Sequence, residues 1–279
     1  ELCRCYGLSR QAFYQHQARS RQRTASQDKV LKLVQEERAQ QPRLGGRKLY
    51  HLIKAKLQQL GIKLGRDKLF GLLREKGLLI QSKRKYCITT NSKHPFKRYD
   101  NQFKQLSLSA PHQAWVADIT YIRTLAGFRY LALITDAYSR KIVGYDLSDS
   151  LCIEGSLRAL KIALKQLPQD SFGLVHHSDR GVQYCAYAYT DILNEHHFTI
   201  SMAEAANVYE NAMAERVNGI LKLEYALDQT FSSDWLAHKA VTEAIYLYNH
   251  KRPHLALNYQ TPQQVHVSFS QSVSLANCA

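Results

Sequence analysis

Between Ala114 and Leu147 three apolar segments follow one another with only short breaks: Ala114–Ile122, Phe128–Asp136 and Lys141–Leu147. β-Branched and aromatic residues crowd each of them, as strands require. Connections this short predict an antiparallel meander. The period then changes. A helical pattern from about Glu154 to Gln166 leads to a buried strand, Gly173–His177, and on to Ser178 and Asp179. A helix from about Tyr184 to His196, a short strand at Phe198–Ile200 and a long helix from about Tyr209 to Tyr225 complete the run. Three antiparallel strands and then helix–strand–helix–strand–helix predict an α/β domain, a mixed sheet with helices on both faces. That element order is the order of a ribonuclease-H-like fold.

The first part of the chain has another character. Residues 1–110 carry 25 Lys and Arg against 7 Asp and Glu, a net of +18, whereas residues 111–279 carry 13 against 16, a net of −3. A positive module joined to a near-neutral one points to a polyanion partner held by a separate part of the chain. Double-stranded DNA is the expected partner. An anionic membrane is the lesser choice, because no helix pairs a broad apolar face with a lysine-rich one. No apolar run approaches a membrane span, and no signal-peptide core opens the chain. Six scattered cysteines read as reduced thiols. A cytoplasmic setting is expected.

Residues 1–80 are expected to be a basic, all-helical DNA-binding region. Ser9 should cap a helix over Arg10–His16, and residues 24–40 should form a polar helix that Pro42 stops. A helix from about Arg47 to Gln59 presents Leu49, Leu52, Ile53 and Leu57 on one face and ends at Gly61. A second starts at Arg66, buries Leu69, Leu72 and Leu73, and ends at Gly77. The pair suits a helix-turn-helix, with Arg47, Lys48, Arg66 and Lys68 near the helix starts as candidate DNA contacts. A small solvated bundle is the plainer reading of the same pattern. Residues 81–110 read as a basic linker, residues 111–265 as the α/β core with its C-terminal helix, and residues 266–279 as a tail.

Three acids stand out in the core. Asp118 interrupts an apolar strand, where an uncompensated carboxylate is costly. Asp179 closes a buried strand at its carboxyl end, where sites form in sheets covered by helices. Glu215 lies on the long helix, behind Ala212, Met213 and Ala214, whose small side chains let the helix approach the sheet. In the expected fold the three converge. Carboxylates at close range resist ionisation together, and divalent metal resolves the conflict. Oxygen-only ligands suit Mg²⁺ or Mn²⁺, and two ions can serve the attacking and leaving oxygens of a phosphodiester. Taken singly, Asp179 could instead cap the next segment and Glu215 could be a solvated helix residue. Asp136 is also at a strand end but precedes the turn Ala-Tyr-Ser-Arg and is read as structural.

These residues resemble a known family. Asp179 and Glu215 are separated by 35 residues, and Asp118 and Asp179 by 60. The local words Trp115-Val-Ala-Asp-Ile-Thr-Tyr121, Asp136-Ala-Tyr-Ser-Arg140, His177-Ser-Asp-Arg-Gly181, Glu210-Asn-Ala-Met-Ala-Glu-Arg216 and Tyr248-Asn-His-Lys-Arg-Pro-His254 add to that spacing. Together they resemble the larger open reading frame of insertion-sequence-three transposases, whose core is similar to that of retroviral integrases. The resemblance implies a transposase that cuts at its element's ends and joins the freed 3′-hydroxyl to DNA with Mg²⁺. It implies Asp118, Asp179 and Glu215 as catalytic, metal-holding acids and Lys222, seven residues after Glu215, as a DNA contact. It further implies action as at least a dimer at the bacterial nucleoid, and a smaller partner from an upstream reading frame. Such a partner would account for the missing Met and for a first helix, expected to close over Leu2–Tyr6, that reads as cut short.

Some positions stay open. His177 suits orienting Asp179, contacting phosphate, or simply packing at the strand end. Tyr248–His254 reads as a helix end packed on the core. Where the family has a turn near Gly-x-Pro-Tyr, this chain has Ala205-Ala-Asn-Val-Tyr209. The alternative reading is therefore an impaired copy that binds DNA and regulates transposition. A nuclease of the same fold acting on RNA–DNA hybrids is a further one, disfavoured by the basic N-terminal region.

Overall fold

The computed structural model describes Gly7 and residues 9–80, 95–168, 173–204 and 211–276. The chain divides into two compact units, Glu1–Lys83 and Arg84–Ala279.

The first unit is helical: α1 (Arg10–Gln40), α2 (Gly46–Gln59) and α3 (Arg66–Glu75). Ser9 caps α1, its side chain accepting from the Ala12 N–H at 3.0 Å. The two helices expected over Arg10–His16 and residues 24–40 are one continuous helix. The segment between them holds no Gly or Pro and is rich in Gln, Ala and Arg, which propagate a helix. Val30, Leu33 and Val34 of α1 bury against Leu49, Ile53 and Leu57 of α2 and Leu69, Leu72 and Leu73 of α3. Gly61 and Gly77 terminate α2 and α3 with φ of +66°, a conformation glycine adopts at no steric cost. The expected linker begins outside the described residues. From Phe96 to Leu108, however, the chain is a strap packed on the second unit, with Phe96, Tyr99, Phe103 and Leu108 set against its core.

The second unit is built on one sheet of order β3-β2-β1-β4-β5, with β6 (Thr230–Phe231) paired to β1. β1 (Ala114–Thr124), β2 (Gly127–Asp136) and β3 (Ile142–Ser148) form the antiparallel meander. β4 (Val175–Ser178) joins β1 in parallel, and β5 (Thr199–Met202) joins β4 in parallel. This is the ribonuclease-H-like arrangement expected from the element order. Alternation along β2 shows both faces covered. Ala132 and Ile134 pack toward α4 (Ile153–Leu164) and α6 (Tyr187–Glu195). Leu131 and Leu133 pack toward α7 (Ala212–Glu224) and α8 (Asp234–His250).

Local chemistry explains several details. The helix expected from Tyr184 to His196 is two, α5 (Val182–Cys185) and α6, broken at Ala186 with ψ of 141°. Tyr184 and Tyr189 would stand about 140° apart on one helix; the break lets both enter the core. Gly144 is required by close packing, since a Cβ there would lie 2.2 Å from the Ala159 carbonyl oxygen on α4. At the edge strand β3, the Asn249 side chain accepts from the Ile142 N–H at 2.9 Å and donates to its carbonyl at 3.0 Å. It thereby mimics a neighbouring strand. The expected tail is instead helical: α9 runs Pro262–Ala276. Pro262 suits a first helical position, and buried His266 seats the helix 3.0 Å from the Ser139 hydroxyl. No described helix is long and apolar enough to cross a membrane.

Candidate active site

The last residues paired between β1 and β4 are Val116 and His177. Two residues further along the chain from these stand Asp118, still in β1, and Asp179, just past the end of β4, so the two acids follow the point where the pairing stops. β1 next pairs on that side only at Arg123, with β6. The interval between is where the sheet opens. A cavity of about 410 Å³ lies there, with Asp118, Tyr121, Cys152, Asp179, Gln183 and Tyr184 in its lining.

Asp118 is tightly held. One carboxylate oxygen accepts from the Asn218 side-chain amide of α7 at 2.7 Å, the other from the Ile119 N–H at 2.9 Å. Burial, and then the charge of Asp179, push its carboxyl up to about 7, with Glu215 adding in the same direction. Asp179 follows the end of β4 and accepts from the Gly181 N–H at 3.0 Å. Glu215 projects from the first turn of α7 and is largely exposed. Its carboxyl is raised by burial and by Asp179. Ala214 beside it is buried against Val116 and Val175, so the small residue does bring α7 onto the sheet.

Thus Asp118 and Asp179 share one cavity, and Glu215 lies within the electrostatic reach of both. Among the described residues, no three His, Cys, Asp or Glu side chains already form a metal cage. The donors nevertheless fit a divalent cation. They are carboxylate oxygens alone, and burial, followed by the charge of Asp179, already disfavours ionisation of Asp118. The wall also presents a buried Tyr184 hydroxyl with no hydrogen-bond partner among the described residues. That hydroxyl keeps its proton, since burial and then Tyr189, Asp118 and Asp179 raise it well above the usual tyrosine range. It can only donate.

Other expected residues fall as follows. Lys222 is half-buried on α7, its ammonium 4.2 Å from the centre of the Tyr121 ring that lines the cavity. In the first unit, Arg47 and Lys68 are exposed, Lys48 is half-buried and Arg66 pairs with Asp67 at 2.8 Å. His177 packs: it is fully buried, stacks on Phe103 and lies 2.8 Å from the Ser201 hydroxyl. Asp136 is structural, accepting from the His112 N–H at 2.7 Å and the Ser139 N–H at 2.7 Å. Tyr248 and His254 are buried beside the Arg252–Glu224 pair, which closes through two 2.8 Å bonds. Residues 205–210, with the altered turn, lie outside the described residues.

Asn218 was legible but not read. It stands three residues after Glu215, on the same helical face, and so reaches the same strand. Tyr184 gave no sequence signal beyond its nearness to Asp179.

Residues 109–208 match a family model described as integrase core domain, and residues 196–262 match a second of that description. The chain is 35% identical, over 97% of its length, to the uncharacterized 31 kDa protein of insertion element IS600 from Shigella sonnei, covering 99% of that protein. It is 32% identical to the transposase for insertion sequence element IS629 from Shigella sonnei, over 76% of this chain and 71% of the relative. It is also 32% identical to transposase InsF for insertion sequence IS3A from Escherichia coli K12, over 69% of this chain and 67% of that one. Among solved structures, a magnesium complex of the HTLV-2 integrase catalytic core domain is alike over 56% of this chain and 97% of its own, with a TM-score of 0.45 and 19% identity.

Proposed function

The chain belongs to the transposases of the insertion-sequence-three family, with an integrase core, and from that premise we propose that it cuts DNA at the ends of its mobile element and joins the freed 3′-hydroxyl to target DNA. The observation that carries the proposal is the placement of Asp118 and Asp179 in one cavity, with Glu215 of α7 in their field.

Asp118, Asp179 and Glu215 would hold Mg²⁺ or Mn²⁺, two ions in the full arrangement. Divalent metal there supplies activation of the attacking oxygen and charge stabilisation of the leaving one. The protein's part is positional. Asn218 and the Ile119 N–H fix the Asp118 carboxylate, and the Gly181 N–H fixes that of Asp179. Lys222, beside the cavity, would contact the DNA backbone, and Arg47, Lys48, Arg66 and Lys68 would hold duplex DNA through the first unit. Joining two ends to one target requires at least a dimer on DNA, and a smaller protein from an upstream frame is a further candidate partner. The setting would be the bacterial nucleoid.

A strand-transfer assay with Mg²⁺ tests this. Product formation by the wild type, abolished by Glu215→Gln with DNA binding retained, is the expected result. A wild type that binds DNA yet neither cuts nor joins would instead support the regulatory reading that the Ala205–Tyr209 sequence raises.

A further inference from the structure

We propose that the first half of α1 is a duplex-DNA contact in its own right, lying in a major groove with arginines reaching the phosphates on both sides. The inference rests on the reading that the chain acts on duplex DNA. It adds a surface to the α2–α3 pair assigned above.

α1 outruns the core of its own unit. Its buried residues begin at Val30, and every residue from Arg10 to Ala25 is exposed. That stretch is about 24 Å of helix. A helix bare on all sides has little tertiary stabilisation, because most helical stability in proteins comes from packing one face. Its side chains therefore point to an external occupant.

The sequence selects which one. A second copy of the helix would need apolar residues repeating at heptad spacing. Here the large apolar residues are the adjacent Phe13 and Tyr14, whose rings pack on each other at 5.7 Å and are not repeated on later turns. A membrane surface would need a broad apolar face, which is likewise missing. What the stretch does carry is Arg10, Arg19, Arg21 and Arg23, with no Asp or Glu between Arg10 and Ala25. None of the four pairs with a described residue.

Their placement on the helix is specific. At about 100° per residue, Arg10 and Arg21 fall within about 20° of each other, whereas Arg19 and Arg23 fall about 180–220° around from Arg10. Between these edges, about 100–140° from Arg10, lie Gln11, Gln15 and Gln22. Two basic edges flanking an amide-bearing face match a helix in a groove. The groove is about 12 Å wide and admits an α-helix, its walls are phosphates, and glutamine amides suit the donor and acceptor of adenine on its floor.

Equilibrium binding of the full chain to a fluorescein-labelled duplex of mixed sequence, across a salt series, tests the inference. Removing one arginine from a phosphate lowers the slope of log affinity on log salt by about 0.9. Arg10→Gln with Arg21→Gln, and separately Arg19→Gln with Arg23→Gln, should each lower the slope by about 2, with helix content by circular dichroism unchanged. The triple change Gln11→Ala, Gln15→Ala, Gln22→Ala should leave the slope alone and flatten the preference selected from a randomised duplex library. Unchanged slopes and preference, in a chain that still binds duplex, overturn the inference and leave the proposed function standing. Binding through α1 without any cutting or joining sinks the proposed function and leaves the inference. A wild type that ignores duplex DNA sinks both. If the arginine variants lose self-association in sedimentation while their duplex slope is unchanged, α1 belongs to a second copy and the inference fails.

Discussion

Asp118 carries the conflict on which the site depends. A strand residue enclosed by α7 is a poor place for a charge, and Asp179 and Glu215 make it poorer. Its carboxyl is raised on folding from the ordinary range to about 7. The folded metal-free chain therefore holds a proton that the unfolded chain releases, so this group's contribution is full at low pH and is lost as pH rises from about 4 through 7. Asp118→Asn removes the loss. In EDTA, its Tm should exceed the wild type's by more at pH 8 than at pH 5, each ~1 kcal/mol relieved giving about 2–4 °C in a domain of this size. A constant difference across pH would contradict the placement of the charge. Tyr184 offers a second check. Tyr184→Phe keeps the edge contact with Tyr189, at 5.4 Å, and removes only the unpartnered hydroxyl. The metal-free variant should be as stable as the wild type or up to about 1–3 kcal/mol more so, as expected when an unmet buried polar group is removed. The Mg²⁺ concentration that half-stabilises it should rise several-fold. An unaltered Mg²⁺ midpoint in thermal shift would show that the hydroxyl plays no part in the metal site.

At the level of elements, the close seating of α4 on β3 is the most exacting contact in the sheet's helical cover. Gly144 lets the Ala159 carbonyl approach, and Asp146 secures the same helix by bonds of 2.9 and 2.8 Å to Arg158. Gly144→Ala must push α4 outward, at a cost of about 1–3 kcal/mol or more; a urea midpoint equal to the wild type's would refute that. The strands β1 to β5 were readable in the sequence because each is a short apolar run, and register follows from which face is buried; the two-residue β6 showed no such run. The elements misread were those whose shape depends on distant partners. The strap at Phe96–Leu108 looks like basic linker until Ser201 accepts the Gln102 and Phe103 N–H groups at 2.9 and 3.2 Å. The end of the chain looks like a tail until His266 finds Ser139. Two acids were legible through their positions on strands, and Glu215 through the family's spacing. Asn218 was legible only by its place one turn after Glu215, and Tyr184 not at all, because a tyrosine beside a turn acquires meaning only from what it faces.

Across the whole molecule, charge and chemistry are divided along the chain. The first 110 residues hold the positive charge, and the candidate acids all lie in the remainder. Such a division lets one part gather a polyanion without placing cations among the acids, where they would compete with metal. The sheet that carries those acids has its own exposure to manage, for β3 is an edge strand. At Ile142 the outward N–H and carbonyl are taken up by the single amide of Asn249. One side chain thus stands where another molecule's strand could dock, so Asn249 acts as a guard against fibril-like stacking of one molecule on the next. Asn249→Ala should scatter light and precipitate faster than Gly144→Ala when denaturant brings the two to matched stability, because only the former leaves the edge unsealed. Equal rates would mean that the edge needs no guard, and that colloidal behaviour follows stability alone.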